Sequence, residues 1–156
     1  DLQPGVSLTG VKNLAMSEEY LRDHFPNFPV MPGVLMLEAM TQAGAWLVRV
    51  TEDFAHSIVV LQQATNVKYG QFVEPGQTLT VTVDLVKMGK EEAKIKARGM
   101  IDGRVTVNGR LVLAKYNLGD RNPIHKHTDE LIKSDLRRGL SLIYPASLSE
   151  APKSPA

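Results

Sequence analysis

The chain has no cysteine, one tryptophan and only 6% aromatic residues, and its charges nearly cancel at 18 basic against 17 acidic side chains. The missing thiols exclude disulfides and thiolate metal ligands. No basic stripe interleaved with aromatics runs through any segment, so nothing calls for nucleic acid, and a small molecule or another protein is the expected partner. Long hydrophobic runs are missing too. The most apolar stretch, Val34 to Val50, is broken by Glu38, Thr41, Gln42 and Arg49 and is too short and too polar for a membrane span. No secretory signal is visible and no internal repeat is found; the first residue is Asp1 rather than methionine, which leaves an upstream segment open. A cytoplasmic protein is expected.

What is present suits one domain: 156 residues, 43% of them apolar, enough to bury a core. Val6 to Leu14 mixes β-branched and polar residues and reads as a first strand, followed by a polar turn at Ser17 to Asp23. Val34 to Thr51 is rich in Leu, Met and Ala and reads as a helix, with Glu38, Thr41, Gln42, Arg49 and Glu52 forming one narrow polar stripe. A helix this apolar needs wrapping on most sides. Strand signals follow at Ser57 to Val67, Thr78 to Val86, Glu92 to Ile101 and Val105 to Lys115, two of them in strict alternation. Asp102-Gly103 predicts a type I′ hairpin, Glu74 to Gln77 a second turn, and Asn108-Gly109 a bulge in a continuous strand. Beyond the loop of Asn117 to Pro123, apolar residues recur at helical spacing from Asp129 to Tyr144. The element order makes an α+β domain over 1–119, a helical C-terminal extension over 120–144 and a disordered tail over 145–156.

The chemistry gathers in one block. Pro26, Pro29 and Pro32 stiffen the loop from His24 to Gly33, and Glu38 follows His24 by fourteen positions with nothing ionisable between. A carboxylate in an apolar helix is costly unless paired or protonated, and burial raises its pKa toward that of a useful general acid. Histidine titrates near neutrality and can take a proton from carbon next to a polarised carbonyl. The unsatisfied N–H groups near Gly33 and Val34, at the positive end of the helix, are the candidate polarising group. His56, His125 and His127 lack such a setting and read as surface residues; no metal-ligand spacing is present. Lys90-Glu91-Glu92 reads as a solvated turn. Lys68 and Arg98 are sheet-surface charges or contacts for an acidic protein.

The block His24-Phe25-Pro26…Pro29…Pro32-Gly33-Val34-Leu35…Glu38-Ala39-Met40…Gln42 closely resembles the signature of the 3-hydroxyacyl-[acyl-carrier-protein] dehydratases of the FabZ type. The likeness extends through Lys68…Phe72-Val73-Glu74-Pro75-Gly76 and Asp102-Gly103, over roughly residues 6 to 116. It implies a hotdog fold, an antiparallel sheet wrapped around a long central helix, here with an extra C-terminal helix. It further implies dehydration of (3R)-3-hydroxyacyl-[acyl-carrier-protein] to the trans-2-enoyl thioester in fatty acid biosynthesis, without metal or cofactor. Acyl carrier protein is the implied partner, and the implied assembly is a dimer with shared active sites, or a trimer of dimers. By the same resemblance His24 removes the C2 proton, Glu38 of a second subunit helps expel the hydroxyl, the Gly33 N–H holds the thioester carbonyl, and Gln42 supports Glu38. Phe25, Phe28, Val30, Met31 and Leu35 are candidates for an acyl tunnel. Glu38, where FabA-type enzymes carry aspartate, favours the dehydratase-only type. Three departures stand out: no proline-rich strand before Val6, the extension beyond Asn117, and Tyr69-Gly70-Gln71 in place of an arginine- or proline-containing stretch. The competing readings are a hotdog acyl thioesterase and a non-catalytic acyl-binding or assembly partner of another dehydratase.

Overall fold

The computed structural model describes residues 1–144. Six strands form one antiparallel sheet: β1 (Leu2–Gln3), β2 (Ser7–Asn13), β3 (Ile58–Tyr69), β4 (Thr78–Met88), β5 (Glu92–Ile101) and β6 (Arg104–Tyr116). Their order across the sheet is β1-β2-β4-β5-β6-β3, which leaves the twelve-residue β3 with a bare edge. The long helix α1 (Gly33–Thr51) lies on the concave face, and α2 (Lys126–Ile143) follows the sheet. This is the α+β, sheet-around-helix architecture the resemblance implies. No helix among the described residues is long and apolar enough to cross a membrane.

Alternation decides which strand face meets α1. Leu79, Val81 and Val83 of β4 and Ala93, Ile95, Ala97 and Ile101 of β5 are buried, while Lys94, Lys96 and Arg98 point outward. From the helix, Met36, Met40, Ala43, Leu47 and Val48 complete the core. Gly44 is what lets the layers meet: a Cβ there would fall 2.2 Å from Ile95 Cδ1 and 3.2 Å from Leu113 Cδ1. Thr41, expected on the polar stripe, is buried instead, its hydroxyl donating to the Leu37 carbonyl at 3.0 Å. The back-bond satisfies the polar group within the helix and lets its methyl face the core.

The turns follow their residues. Asp102 and Gly103 have φ of 49° and 76°, both positive as a type I′ hairpin requires. Gly76 at φ 89° and the bond from Gln77 N to Glu74 O make Glu74 to Gln77 a type II turn. The bulge is displaced from its expected place. β6 runs unbroken through Asn108-Gly109, and the extra residue lies on its neighbour β3, where Thr65 pairs with Arg110 and Lys68 with Asn108. Asn66 takes φ 54°, a conformation asparagine tolerates, and Val67 packs over Gly109.

Short-range elements escaped the sequence. Leu2–Gln3 pairs with Leu8 and Ser7, and the turn at Ser17 to Asp23 contains a 3₁₀ turn at Glu19–Arg22 that buries Leu21. Two more follow, Leu118–Asp120 within the expected loop and Pro123–His125 starting at its last residue, and α2 begins at Lys126, ahead of Asp129. His56, expected at the surface, is half-buried and bonds Glu52, which also pairs with the buried Lys115 at the end of β6. The expected tail at 145–156 lies outside the described residues.

Asp129 anchors α2. Its buried carboxylate accepts from Ser57 Oγ, from Leu118 N at 2.9 Å and from Gly119 N at 2.8 Å. Burial pushes the carboxyl up, but these bonds and nearby Lys133 outweigh it and hold the group below its ordinary value of 3.8. Farther along, Arg137 stacks 4.8 Å over Phe54 and donates to the Asp53 carbonyl at 2.7 Å.

Two outcomes are expected. Met40→Ala, which empties a fully buried site, lowers unfolding free energy by about 2–5 kcal/mol in urea titration. Because the folded pKa of Asp129 is depressed, its stabilisation is complete above the unfolded value and is lost as pH falls through the folded value. Hydrogen exchange of α2 should therefore quicken below about pH 4, and Asp129→Asn should show the loosened helix already at neutral pH; unchanged protection in both would refute the anchor.

Candidate active site

The loop before α1 is held from both ends. Val30 N donates to His24 O at 2.9 Å and Met31 N to Val73 O at 2.8 Å, while Phe25 and Phe28 exchange backbone bonds across a tight turn. The prolines supply the extended conformations these bonds need. Val30 and Met31 are closed into the core, so the loop is anchored at its base and His24 is half-buried above it.

The imidazole is oriented by two contacts. Nδ1 lies 3.0 Å from the Val30 carbonyl, and a carbonyl can only accept, so Nδ1 carries the proton in this bond. The neutral ring then presents a bare Nε2 lone pair, the state a general base requires. Phe25 stacks on the other side with ring centroids 4.3 Å apart.

Gly33 opens α1, preceded by Pro32, which offers no capping side chain. The Gly33 and Val34 N–H groups have no acceptor among the described residues, as the first donors of a helix do not. Tyr69 lies over this point: a Cβ on Gly33 would meet its Cε1 at 3.0 Å. The departure at Tyr69-Gly70-Gln71 thus has a structural use. Gly70 N donates to Thr106 O at 2.7 Å, Gln71 Nε2 to Thr106 Oγ1 at 3.2 Å, and together they turn the chain so that Tyr69 roofs the helix start.

Glu38 sits on the second turn of α1. Gln42 Nε2 donates to its Oε1 at 3.0 Å, one helical turn on. The expected burial of Glu38 is not made within the chain: the residue is exposed, because the sheet covers the opposite face of α1. Glu38 instead opens a groove of about 420 Å³ lined by Thr41, Gln42, Ala45, Trp46, Arg49 and Val59 to Leu61. His24 does not line it; within one chain Gln42 bonds Glu38, while His24 bonds the Val30 carbonyl and neither of those two among the described residues. Among the tunnel candidates, Phe25 and Phe28 are exposed on the loop, Phe28 edge-on to Phe72, and Leu35 is partly buried.

Sequence reasoning gave no site role to Trp46, to Arg49, which it placed on the polar stripe, or to Tyr69, which it named only as a departure. The first two had a signal, since residues 38, 42, 45, 46 and 49 share one helix face; Tyr69 had none, because its contact with Gly33 is long-range. Lys68 and Arg98 join Lys96, Arg110, Asp84 and Asn108 around an open basic depression on the outer sheet face. No group of three metal-ligating side chains occurs among the described residues.

Residues 2–115 match the family described as the FabA-like domain. The chain is 34% identical over 114 residues to the 3-hydroxyacyl-[acyl-carrier-protein] dehydratase FabZ of Caldicellulosiruptor bescii, covering 73% of this chain and 81% of that protein. It is 38% identical over 117 residues to the same-named protein of Albidiferax ferrireducens, covering 72% and 77%. Among solved structures, the dehydratase heterocomplex ApeI:P from Xenorhabdus doucetiae superposes with a TM-score of 0.60 at 17% identity, covering 78% of this chain and 83% of that one. A mutant thioesterase from Pseudomonas aeruginosa reaches 0.59 at 16% identity, covering 74% and 78%. At such identities the structural likeness concerns the fold.

Proposed function

The chain belongs to the FabA-like family, and from that membership we propose that it is a hydro-lyase converting (3R)-3-hydroxyacyl-[acyl-carrier-protein] to the trans-2-enoyl thioester in cytoplasmic fatty acid biosynthesis. The observation that carries the proposal is His24, held with Nε2 free, on the loop that ends at the unsatisfied N–H groups of α1. Nε2 takes a proton from C2, and the electron pair of that C–H bond moves toward the thioester carbonyl, whose oxygen gathers negative charge. The Gly33 N–H, aided by the helix dipole, receives that charge. The electrons then form the C2–C3 double bond as the C3–O bond breaks, and Glu38 delivers the proton that makes the leaving hydroxyl water. Gln42 orients that carboxyl group.

The site is completed by a second copy. Within one chain Glu38 is exposed and makes no bond to His24, and the β3 edge stands unpaired with Val60 uncovered. Pairing β3 with its two-fold mate closes both edges with one isologous contact and brings the partner's Glu38 toward His24. Phe25, Phe28 and Leu35 flank the mouth of the closed site, with Val30 and Met31 packed behind them. The acidic carrier protein docks on the basic depression around Lys68, Lys96, Arg98 and Arg110. The thioesterases among the structural neighbours share the fold only, and the His24 loop favours dehydration.

Three experiments test this. His24→Ala and Glu38→Gln each lower kcat on a 3-hydroxyacyl thioester by roughly a hundredfold or more. Dimers reassembled from equal amounts of the two variants recover about a quarter of wild-type activity, since half are mixed and each mixed dimer holds one intact site. Activity retained in either variant, or thiol release from a saturated acyl thioester, would overturn the assignment. Lys96→Glu with Arg98→Glu raises KM for the carrier-bound substrate several-fold at low salt and leaves KM for the pantetheine thioester unchanged.

A further inference from the structure

The groove that begins at Glu38 has an unusual far end. Trp46 and Arg49 close it, and Arg49 is the only cation among its lining residues. The guanidinium lies 5.6 Å from the Trp46 ring centroid, which engages its face and leaves its N–H edge free to meet acceptors. One long bond reaches the Val59 carbonyl at 3.5 Å, while Nε is buried with no partner among the described residues. Among the described residues of the chain no carboxylate pairs with it. Burial pushes the pKa of the Arg49 guanidinium below its ordinary value, so an anion beside it would be welcome.

This end is also braced. A Cβ on Gly139 of α2 would lie 3.8 Å from Trp46 Cη2, so α2 passes close behind the indole. The Arg49 carbonyl accepts from Phe54 N at 2.7 Å, and Phe54 is the residue under Arg137 of α2. The C-terminal extension thereby holds the Trp46–Arg49 pair in place from outside.

An alkyl tail driven against Arg49 would strip water from its donors and return nothing, whereas a terminal acceptor would satisfy them with a charge-assisted bond. We propose that Trp46 and Arg49 form a terminal subsite that selects acyl chains ending in a hydrogen-bond acceptor, a carboxylate above all. The inference rests on the dehydratase reading for the direction of the chain, with C3 at Glu38 and the tail running along α1. Eleven residues separate Glu38 from Arg49, about 16 Å along the helix axis. Allowing about 3 Å for a contact at each end and about 1.2 Å per bond of extended chain, the acceptor stands roughly eight bonds beyond C3. The preferred substrate is thus an ω-carboxyacyl thioester of about ten to twelve carbons.

Trp46 is the only tryptophan in the chain, so its emission reports on the subsite without turnover. The full-length protein is titrated with S-dodecanedioyl-pantetheine and S-dodecanoyl-pantetheine, both saturated at C2–C3. The carboxylate-ended probe should half-saturate the change in emission at a concentration roughly tenfold lower. Arg49→Met, which keeps the unbranched stem, should abolish the difference, and Arg49→Lys should restore part of it. Equal half-saturation in the wild type, or a preference that survives Arg49→Met, overturns the proposal. Turnover of 3-hydroxybutanoyl carrier thioester, too short to reach Arg49, is measured in parallel on the wild type. Its absence from wild type would refute the dehydratase reading, while the fluorescence comparison would still decide the terminal subsite.

Discussion

Gly44 sets how closely α1 approaches the sheet. With Ile95 and Leu113 occupying the space a side chain would need there, the helix comes down onto β5 and β6, and Met40, Leu47 and Val48 reach full burial beside it. Close packing of this kind leaves little slack, so the orientation of α1 about its own axis follows from that one contact. Glu38, Gln42 and Arg49 lie on the face that the sheet leaves uncovered. The positions of the acid and of the groove are consequences of how the opposite side of the helix is packed.

The start of α1 is governed by a second constraint. A loop with three prolines is a poor source of backbone donors and has few conformations to lose, so a handful of bonds suffices to hold it. The Val30 carbonyl orients His24, and the Val30 N–H bonds back to the His24 carbonyl, closing the loop upon itself. Tyr69, brought in from the end of β3, covers Gly33 and ties the sheet edge to the helix start. One edge of the sheet thus serves the site at one end and remains unpaired along its length.

The C-terminal extension belongs to the same arrangement. Asp129 gathers Ser57 and two backbone amides, and Arg137 clasps Asp53 and Phe54 just beyond α1. Through these contacts α2 braces the far end of the groove, some four helical turns from the loop that holds His24. The helix is short of apolar burial, with Leu131 and Leu142 exposed, so polar anchors rather than a core keep it in place.

The sequence by itself determined the elements whose cause is local. Alternation in Thr78 to Leu85 and Ala93 to Arg98 specified strands and faces, Asp102-Gly103 specified the hairpin, and the proline-glycine block specified a stiff loop entering a helix. The family signature named His24 and Glu38 because spacing within a short segment is visible in one dimension. Only tertiary structure decided what depends on residues far apart in the chain: the bulge at Asn66-Val67 of β3 rather than at Asn108-Gly109 of β6, the burial of Thr41, Tyr69 over Gly33, the carboxylate of Asp129 beside Ser57, and Arg49 at the end of a groove. Local preference is read from neighbours three or four positions away, whereas these contacts follow from how the helix and sheet close on each other, and no periodicity along the chain records that.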